Sequence, residues 1–330
     1  MKQIRWGIIG CGNVTEVKSG PGFQKAKGSR LVAVMRRNQK LAEEYARRHG
    51  VPKWYDNTDS LIRDPEVDAV YIATPPCSHK EYTIAGAKAG KPVYVEKPMA
   101  MNYNECLEMI QACEENNVPL FVAYYRRALP RFLKIKELLE HNTIGAVRSV
   151  IIVLYKKPTK NDFHNQNNWR VHPEVAGCGY FCDLASHQFD ILQFFFGPIK
   201  AATGFSSNQM GNYEAEDIIS GSFIFESGIH GSGLWCFSAY SNLDRTEIIG
   251  ETGKITFSTF DTEAIILEND IGTQHFHIEN PPHIQQPLIQ TVVDELLGIG
   301  KCPSTGETAS LTNRVMDQML GRRNSIRFLI

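Results

Sequence analysis

Ile4-Arg5-Trp6-Gly7-Ile8-Ile9-Gly10-Cys11-Gly12-Asn13 decides the fold. An apolar run ends on two glycines one residue apart, which reads as a first β-strand entering a sharp turn. Gly10-x-Gly12-x-x-Thr15 approximates the dinucleotide fingerprint. Glycines at such a turn let the backbone bend and let a pyrophosphate approach N–H groups at the start of a helix. Gly10, Cys11, Gly12, Asn13 and Val14 are therefore the first candidate cofactor contacts. Thr15 stands where the fingerprint has Gly or Ala, and an ordinary strand–helix turn would leave the same two glycines. Position at the head of a βαβ series favours the nucleotide.

That series continues through the first third of the chain. Residues 14–26 predict a weak helix broken at Gly20-Pro21-Gly22. Leu31–Met35 predicts a buried strand, and Gln39–His49 a helix with Leu41, Ala42 and Tyr45 inward. Val67–Thr74 is a strand ended by Pro75-Pro76, and Glu81–Ala89 a helix closed by Gly90. Val93–Val95 and Pro119–Ala123 are strands around a helix over Asn104–Asn116. Strands alternating with helices of this length imply right-handed βαβ units and a parallel sheet.

Beyond residue 145 the pattern changes. β-Branched and aromatic runs at 147–156, 218–225, 229–237, 245–249, 254–257, 263–267 and 273–278 follow one another across short links. They predict a mostly antiparallel sheet. A helix over Asp183–Phe196 interrupts them, and helical stretches near 284–298 and 307–320 follow. The fold class is α/β: a Rossmann dinucleotide-binding domain over 1–123, then a second α/β domain with a mostly antiparallel sheet over 124–330.

Composition narrows the function. With 330 residues, 42% hydrophobic and a net charge of −1, the chain supports two cores and lacks the basic excess expected of a nucleic-acid or acidic-membrane binder. No apolar run approaches the ~20 residues that span a bilayer. The apolar N-terminal run is cut by Gly7, Gly10 and Gly12 and is not a signal peptide. Eight cysteines without a Cys-x-x-Cys read as free thiols in a reduced cytoplasmic protein.

Two features select the cofactor and its chemistry. The second strand ends Met35-Arg36-Arg37-Asn38, without the acid that binds a ribose 2′-OH in NAD-preferring folds. Arginine binds a 2′-phosphate with a bidentate fork, so NADP(H) is expected over NAD(H). The pair also fits a solvated helix start. Val93-Tyr94-Val95-Glu96-Lys97-Pro98 sets a lysine at the tip of an apolar β run, where such sheets bind ligands.

Asp183, His187 and Asp190 share one helix face at i, i+4, i+7. A histidine titrates near neutrality and can hand a proton to a carbonyl oxygen as hydride reaches its carbon. Asp183 could equally be a helix N-cap, and His187 a packing residue. His275-x-His277 has no third ligand at suggestive spacing, so no metal is expected. No Gly-x-Ser-x-Gly occurs. Gly250-Glu251-Thr252-Gly253-Lys254 mimics a phosphate loop, but Ile248 and Ile255 break it, and a hairpin turn fits better.

Taken together these residues resemble the Gfo/Idh/MocA, or glucose–fructose oxidoreductase-like, family. The resemblance rests on the glycine turn, on Asp68–Pro76 with His79, on Glu96-Lys97-Pro98, on Trp169-Arg170 and on the Asp183…His187…Asp190 segment. Within the family the chain is most similar to the NADP-dependent branch containing 1,5-anhydro-D-fructose reductase and dihydrodiol dehydrogenases. The resemblance implies cofactor contacts from Thr74, Pro75, Pro76, His79, Glu96, Lys97, Trp169 and Arg170, and a cis Lys97–Pro98 bond. It implies Lys97, Asp183 and His187 as catalytic residues, His187 being the proton donor. It also assigns substrate binding and dimerisation to the second domain, 124–330, with a homodimer or homotetramer built on a large open sheet. Thr15 and Cys178 depart from the family's glycine pattern.

The expected activity is NADPH-dependent hydride transfer to or from a sugar-like carbonyl or secondary alcohol. Two alternatives are a glycosidase that oxidises its sugar transiently and a non-catalytic NADP-sensing regulator. Arg36-Arg37 argues against the first, and Lys97 with His187 against the second. Loop residues 157–172, with His164, Asn165 and Trp169, are expected to close over the substrate.

Overall fold

In the computed structural model, residues 3–162 and 168–322 are described. His164 and Asn165 lie outside them. The chain divides into two units. The first holds 1–100, 105–129 and 281–310; the second holds 101–104, 130–280 and 311–330.

In the first unit, strands β1 (Ile4–Ile9), β2 (Ser29–Met35), β3 (Lys53–Tyr55), β4 (Ala69–Ile72), β5 (Val93–Val95) and β6 (Leu120–Val122) form a sheet of order β3-β2-β1-β4-β5-β6. Every pairing is parallel, and the order reverses at β1. A crevice at the carboxyl ends of the strands, beside such a reversal, is where this architecture takes its ligand. Trp6, Phe23, Tyr71 and Tyr94 stack through the core, with successive ring centroids 4.8, 5.0 and 5.1 Å apart.

Local chemistry sets the helix bounds. Asn38 accepts the Leu41 N–H and caps Gln39–His49, and Gly50 closes that helix at φ +63°. Ala42 and Tyr45 are buried as expected, but Leu41 is 37% exposed. It sits about a quarter-turn off the stripe centred on Ala42, Tyr45 and Ala46. Gly20-Pro21-Gly22 does not break a helix; it opens a second one, Gly20–Lys25, with proline in its first turn. A short strand and helix at 53–63 and a helix over Pro130–Glu140 add to the elements expected from sequence.

Residues 281–310, placed by sequence with the second domain, group with the first. Ser304 exchanges bonds with Val122, and Phe121 bridges Thr305. Arg127 donates to the Pro303 carbonyl at 2.7 Å. Ile289 packs where a Cβ on Gly22 would meet it at 2.8 Å.

The second unit holds β7 (Val147–Tyr155), β8 (Ile199–Ser207), β9 (Ile218–Phe225), β10 (His230–Cys236), β11 (Leu243–Gly250), β12 (Gly253–Phe257), β13 (Ile265–Asn269) and β14 (Gly272–Phe276). Their order is β14-β13-β12-β11-β7-β10-β9-β8, antiparallel except for β7 with β10. Glu251-Thr252 is the hairpin link between β11 and β12. One face buries Val150, Ile152, Leu154 and Trp235. Trp235 packs against Phe181 and Phe189 and donates its indole N–H to Gln188 at 2.7 Å. Ile151 on β7 and Phe205 on β8 are exposed.

Candidate active site

The glycine turn is built as the first strand predicts. Gly10 has φ +91°, and its N–H and that of Cys11 both donate to Met35 O. A Cβ on Gly10 would meet Thr74 Cγ2 at 2.7 Å and Thr74 N at 3.1 Å. Gly12 precedes the helix Asn13–Val17, whose opening N–H groups have no intrahelical partner. Thr15 turns its hydroxyl back onto Gly12 O at 2.8 Å, and Tyr45 donates to Thr15 O at 2.8 Å. Thus hydrogen bonds brace the position where the fingerprint has glycine. Cys11 is buried, and burial pushes its thiol up to about 11, so it packs rather than reacts.

The donor set fits a dinucleotide. Thr74, at the tip of β4, has a buried hydroxyl oxygen with no hydrogen-bond partner, and the Gly10 turn leaves no room for a side chain beside it. Pro75 and Pro76 follow, Pro76 opening a short turn to Ser78. At the tip of β2, Arg36 and Arg37 stand with no carboxylate within residues 36–38, and Asn38 caps the next helix. Arg37 lines a cleft of about 320 Å³ with Met35, Asn57, Thr58 and Tyr82; Asp56, Asp59 and Glu81 also face it.

Lys97 is the second residue past β5, and Lys97–Pro98 is cis. Two flanking groups hold this joint. His79 is fully buried, with Nδ1 3.1 Å from Pro98 O and 3.2 Å from Met99 O, and Nε2 2.8 Å from Thr74 O. Burial pulls its pKa down, while these carbonyls and the Glu96 charge work against that. Glu96 is buried, with both carboxylate oxygens accepting from protein donors.

Tyr125 was not anticipated. Burial should raise its pKa, but the cations Arg126, Lys18 and Lys97 outweigh that and lower it. Its signal is invisible in sequence, because the cations come from three places in the chain, residues 18, 97 and 126. Arg126 lies 5.0 Å over the Tyr125 ring.

In the second unit, the helical segment around Asp183 is not a simple α-helix. Phe181–Ala185 is a π turn, followed by the α-helix Ser186–Phe196. Asp183 therefore lies inside the helical turn and is not its N-cap. π Turns shift the register by one residue and recur at functional sites. Arg170 Nε donates to Asp183 Oδ2 at 3.0 Å, and the Arg170 guanidinium lies 4.5 Å over Trp169. Trp169, Arg170 and Asp183 thus form one linked group. His187 and Asp190 are buried on the α-helix, and Phe260 meets the His187 ring edge-on at 6.0 Å.

Asp162 was also missed. It is 4% exposed and gathers Thr159, Asn168 and the Tyr180 hydroxyl, the last at 2.5 Å. Burial and this carboxylate push Tyr180 up to about 12. Cys178 and Cys182, expected as thiols, are joined as a disulfide. Four residues along a helical turn bring their Cα atoms to 5.1 Å, within disulfide range. The other six cysteines are free. Among the described residues no helix is long and apolar enough to cross a membrane.

Residues 4–124 match the model of an oxidoreductase family with an NAD-binding Rossmann fold, GFO/IDH/MocA, and residues 132–256 match its C-terminal domain. An oxidoreductase of Formosa agariphila is 42% identical over 322 residues, covering 97% of this chain and 99% of that protein. The 1,5-anhydro-D-fructose reductase of Ensifer adhaerens is 27% identical over 92% of this chain and 91% of its own. Levoglucosan dehydrogenase, solved with NADH and levoglucosan, superposes with a TM-score of 0.86 at 23% identity over 97% of both chains. The chain belongs to the GFO/IDH/MocA family of oxidoreductases with an NAD-binding Rossmann fold.

Proposed function

We propose that this oxidoreductase uses NADPH in preference to NADH and interconverts a carbonyl and a secondary alcohol on a sugar-like substrate. The observation that carries the cofactor choice is the tip of β2, where two arginines stand and the only polar neutral residue, Asn38, is committed to a helix cap. A 2′-phosphate there meets two arginines and no carboxylate within residues 36–38, while Asp56, Asp59 and Glu81 face the cleft that Arg37 lines and weigh against it. Gly10, Cys11, Gly12, Asn13 and Val14 would hold the pyrophosphate, with Thr74, Pro75 and Pro76 along its path. His79, Glu96, Trp169 and Arg170 complete the proposed cofactor contacts. When bound, NADP(H) supplies or accepts the hydride.

The chain's own residues handle charge and the proton. Lys97 stabilises negative charge developing on the substrate oxygen, an effect strongest where water is excluded. His187 gives or takes the substrate proton, worth ~10²–10⁴ in rate for a positioned acid. Asp183, held by Arg170, supports the histidine. Polyhydroxylated ring substrates in the names of two relatives support the substrate class. The exposed face of the second sheet supports assembly as a homodimer or homotetramer, to be read by light scattering. A cytoplasmic setting is proposed from the six free thiols, with the Cys178–Cys182 disulfide counting against it.

The test is NADPH and NADH consumption with a panel of ketoses, dicarbonyl sugars and cyclic polyols. Lys97→Met and His187→Asn should each lower turnover by roughly 10²-fold or more. Arg36→Ser with Arg37→Ser should move preference toward NADH. Unchanged turnover in both site variants removes those residues from the mechanism, and unchanged cofactor preference removes the arginines.

A further inference from the structure

We propose that Gln285 and Tyr71 are positioning residues for Lys97, acting through the Glu96 carboxylate. The inference rests on the reading that gives Lys97 the substrate oxygen. Glu96 directly precedes the lysine and is 7% exposed. The Tyr71 hydroxyl donates to its Oε1, Gln285 Nε2 donates to the same oxygen at 2.8 Å, and Lys97 N–H donates to Oε2 at 3.2 Å. Three donors thus converge on its two oxygens, which act only as acceptors. Tyr71 remains a phenol, because burial and then the neighbouring Glu96 charge raise its pKa well above the usual value.

Gln285 reaches this point across 189 residues of sequence. It is fully buried, immediately before the helix Gln286–Leu296, and its own N–H lies 3.4 Å from Lys18 O. Its amide must present nitrogen to Glu96, since an amide oxygen there would face a carboxylate. A buried carboxylate held by neutral donors is a poor way to fill space, because an apolar side chain does so without desolvating a charge. What the carboxylate does is fix the direction of the Lys97 N–H. With the carboxylate clamped on one side, and His79 holding Pro98 O and Met99 O on the other, the chain on both flanks of Lys97 is restrained. Side chains held by such outer partners keep the geometry a reaction needs.

The test pairs Gln285→Leu and Tyr71→Phe with Lys97→Met in a double-mutant cycle, using the full chain with NADPH and its best substrate. Each single variant should lower kcat about tenfold, the size expected when a charged group loses one buried donor, with cofactor KM held within about twofold. In the Lys97→Met background, adding either change should alter kcat by less than about twofold. Losses that multiply in that background, or full kcat in both single variants, overturn the proposal. Amide hydrogen exchange of the peptide spanning residues 93–99 supplies a readout without turnover. Exchange at Lys97 should quicken by about fivefold or more in Gln285→Leu, while Tm stays within about 3 °C. Unchanged exchange overturns the network even if no sugar proves to be a substrate, whereas faster exchange without any turnover counts against the function and not the network. If Gln285→Leu does not fold, Tyr71→Phe, which removes one hydroxyl, decides both readouts.

Discussion

Replacing Gly10 with alanine tests the link from backbone to cofactor most directly. The residue sits at φ +91°, a region that L side chains rarely adopt, and the strain is about 1–3 kcal/mol. The new Cβ would lie 2.7 Å from Thr74 Cγ2, which can rotate away, but also 3.1 Å from Thr74 N and 3.2 Å from Ala73 C, which cannot. Moving the β4 tip to relieve that overlap adds about 1–3 kcal/mol, as overpacking commonly does. The sum, roughly 2–6 kcal/mol, corresponds to a fall of roughly 4–24 °C in Tm for a unit of this size. NADPH affinity should fall more than about tenfold, because the same displacement moves Thr74 and the turn together. Thermal melting with and without NADPH, plus fluorescence titration, reads both effects. A Gly10→Ala variant that melts within about 1 °C of wild type and binds NADPH equally well refutes the reasoning.

Other perturbations separate the remaining parts. Trp235→Phe removes the indole N–H from Gln188 and leaves a buried acceptor unmet, which should destabilise by about 2–4 kcal/mol in urea titration. Arg170→Met releases Asp183 from its 3.0 Å partner and should lower kcat about tenfold with Tm nearly unchanged, measured by steady-state kinetics and melting. Glu16 is held down to about 2, first by the Arg48 guanidinium and also by His49. Its folded pKa is depressed, so its stabilisation is present above the ordinary carboxylate value of 4.5 and disappears as pH falls toward about 2. The Tm difference between wild type and Arg48→Ala should therefore shrink steadily across that window; a difference independent of pH would contradict the pairing.

The alternation of apolar strands with helices made the first sheet legible, since parallel strands buried on both faces read as continuous apolar runs. Gly10, Arg36 and Lys97 stood out as candidates for a related reason: each is an unusual residue just past the end of a strand, where local pattern and chemistry coincide. Tyr125, Asp162 and Gln285 gave no such sign. Tyr125 owes its lowered pKa to charges at 18, 97 and 126, and Asp162 its role to donors at 159, 168 and 180.

Local sequence alone determined the strand–glycine turn, the bare arginine tip of β2 and the Glu-Lys-Pro joint, because these depend on backbone freedom and side-chain charge within a few residues. Only tertiary structure decided that 281–310 returns to the first unit, that Gln285 meets Glu96, and that Arg170 holds Asp183. Those pairings arise from burial: a polar group taken out of water must find a partner, and packing, not spacing along the chain, determines which one it finds.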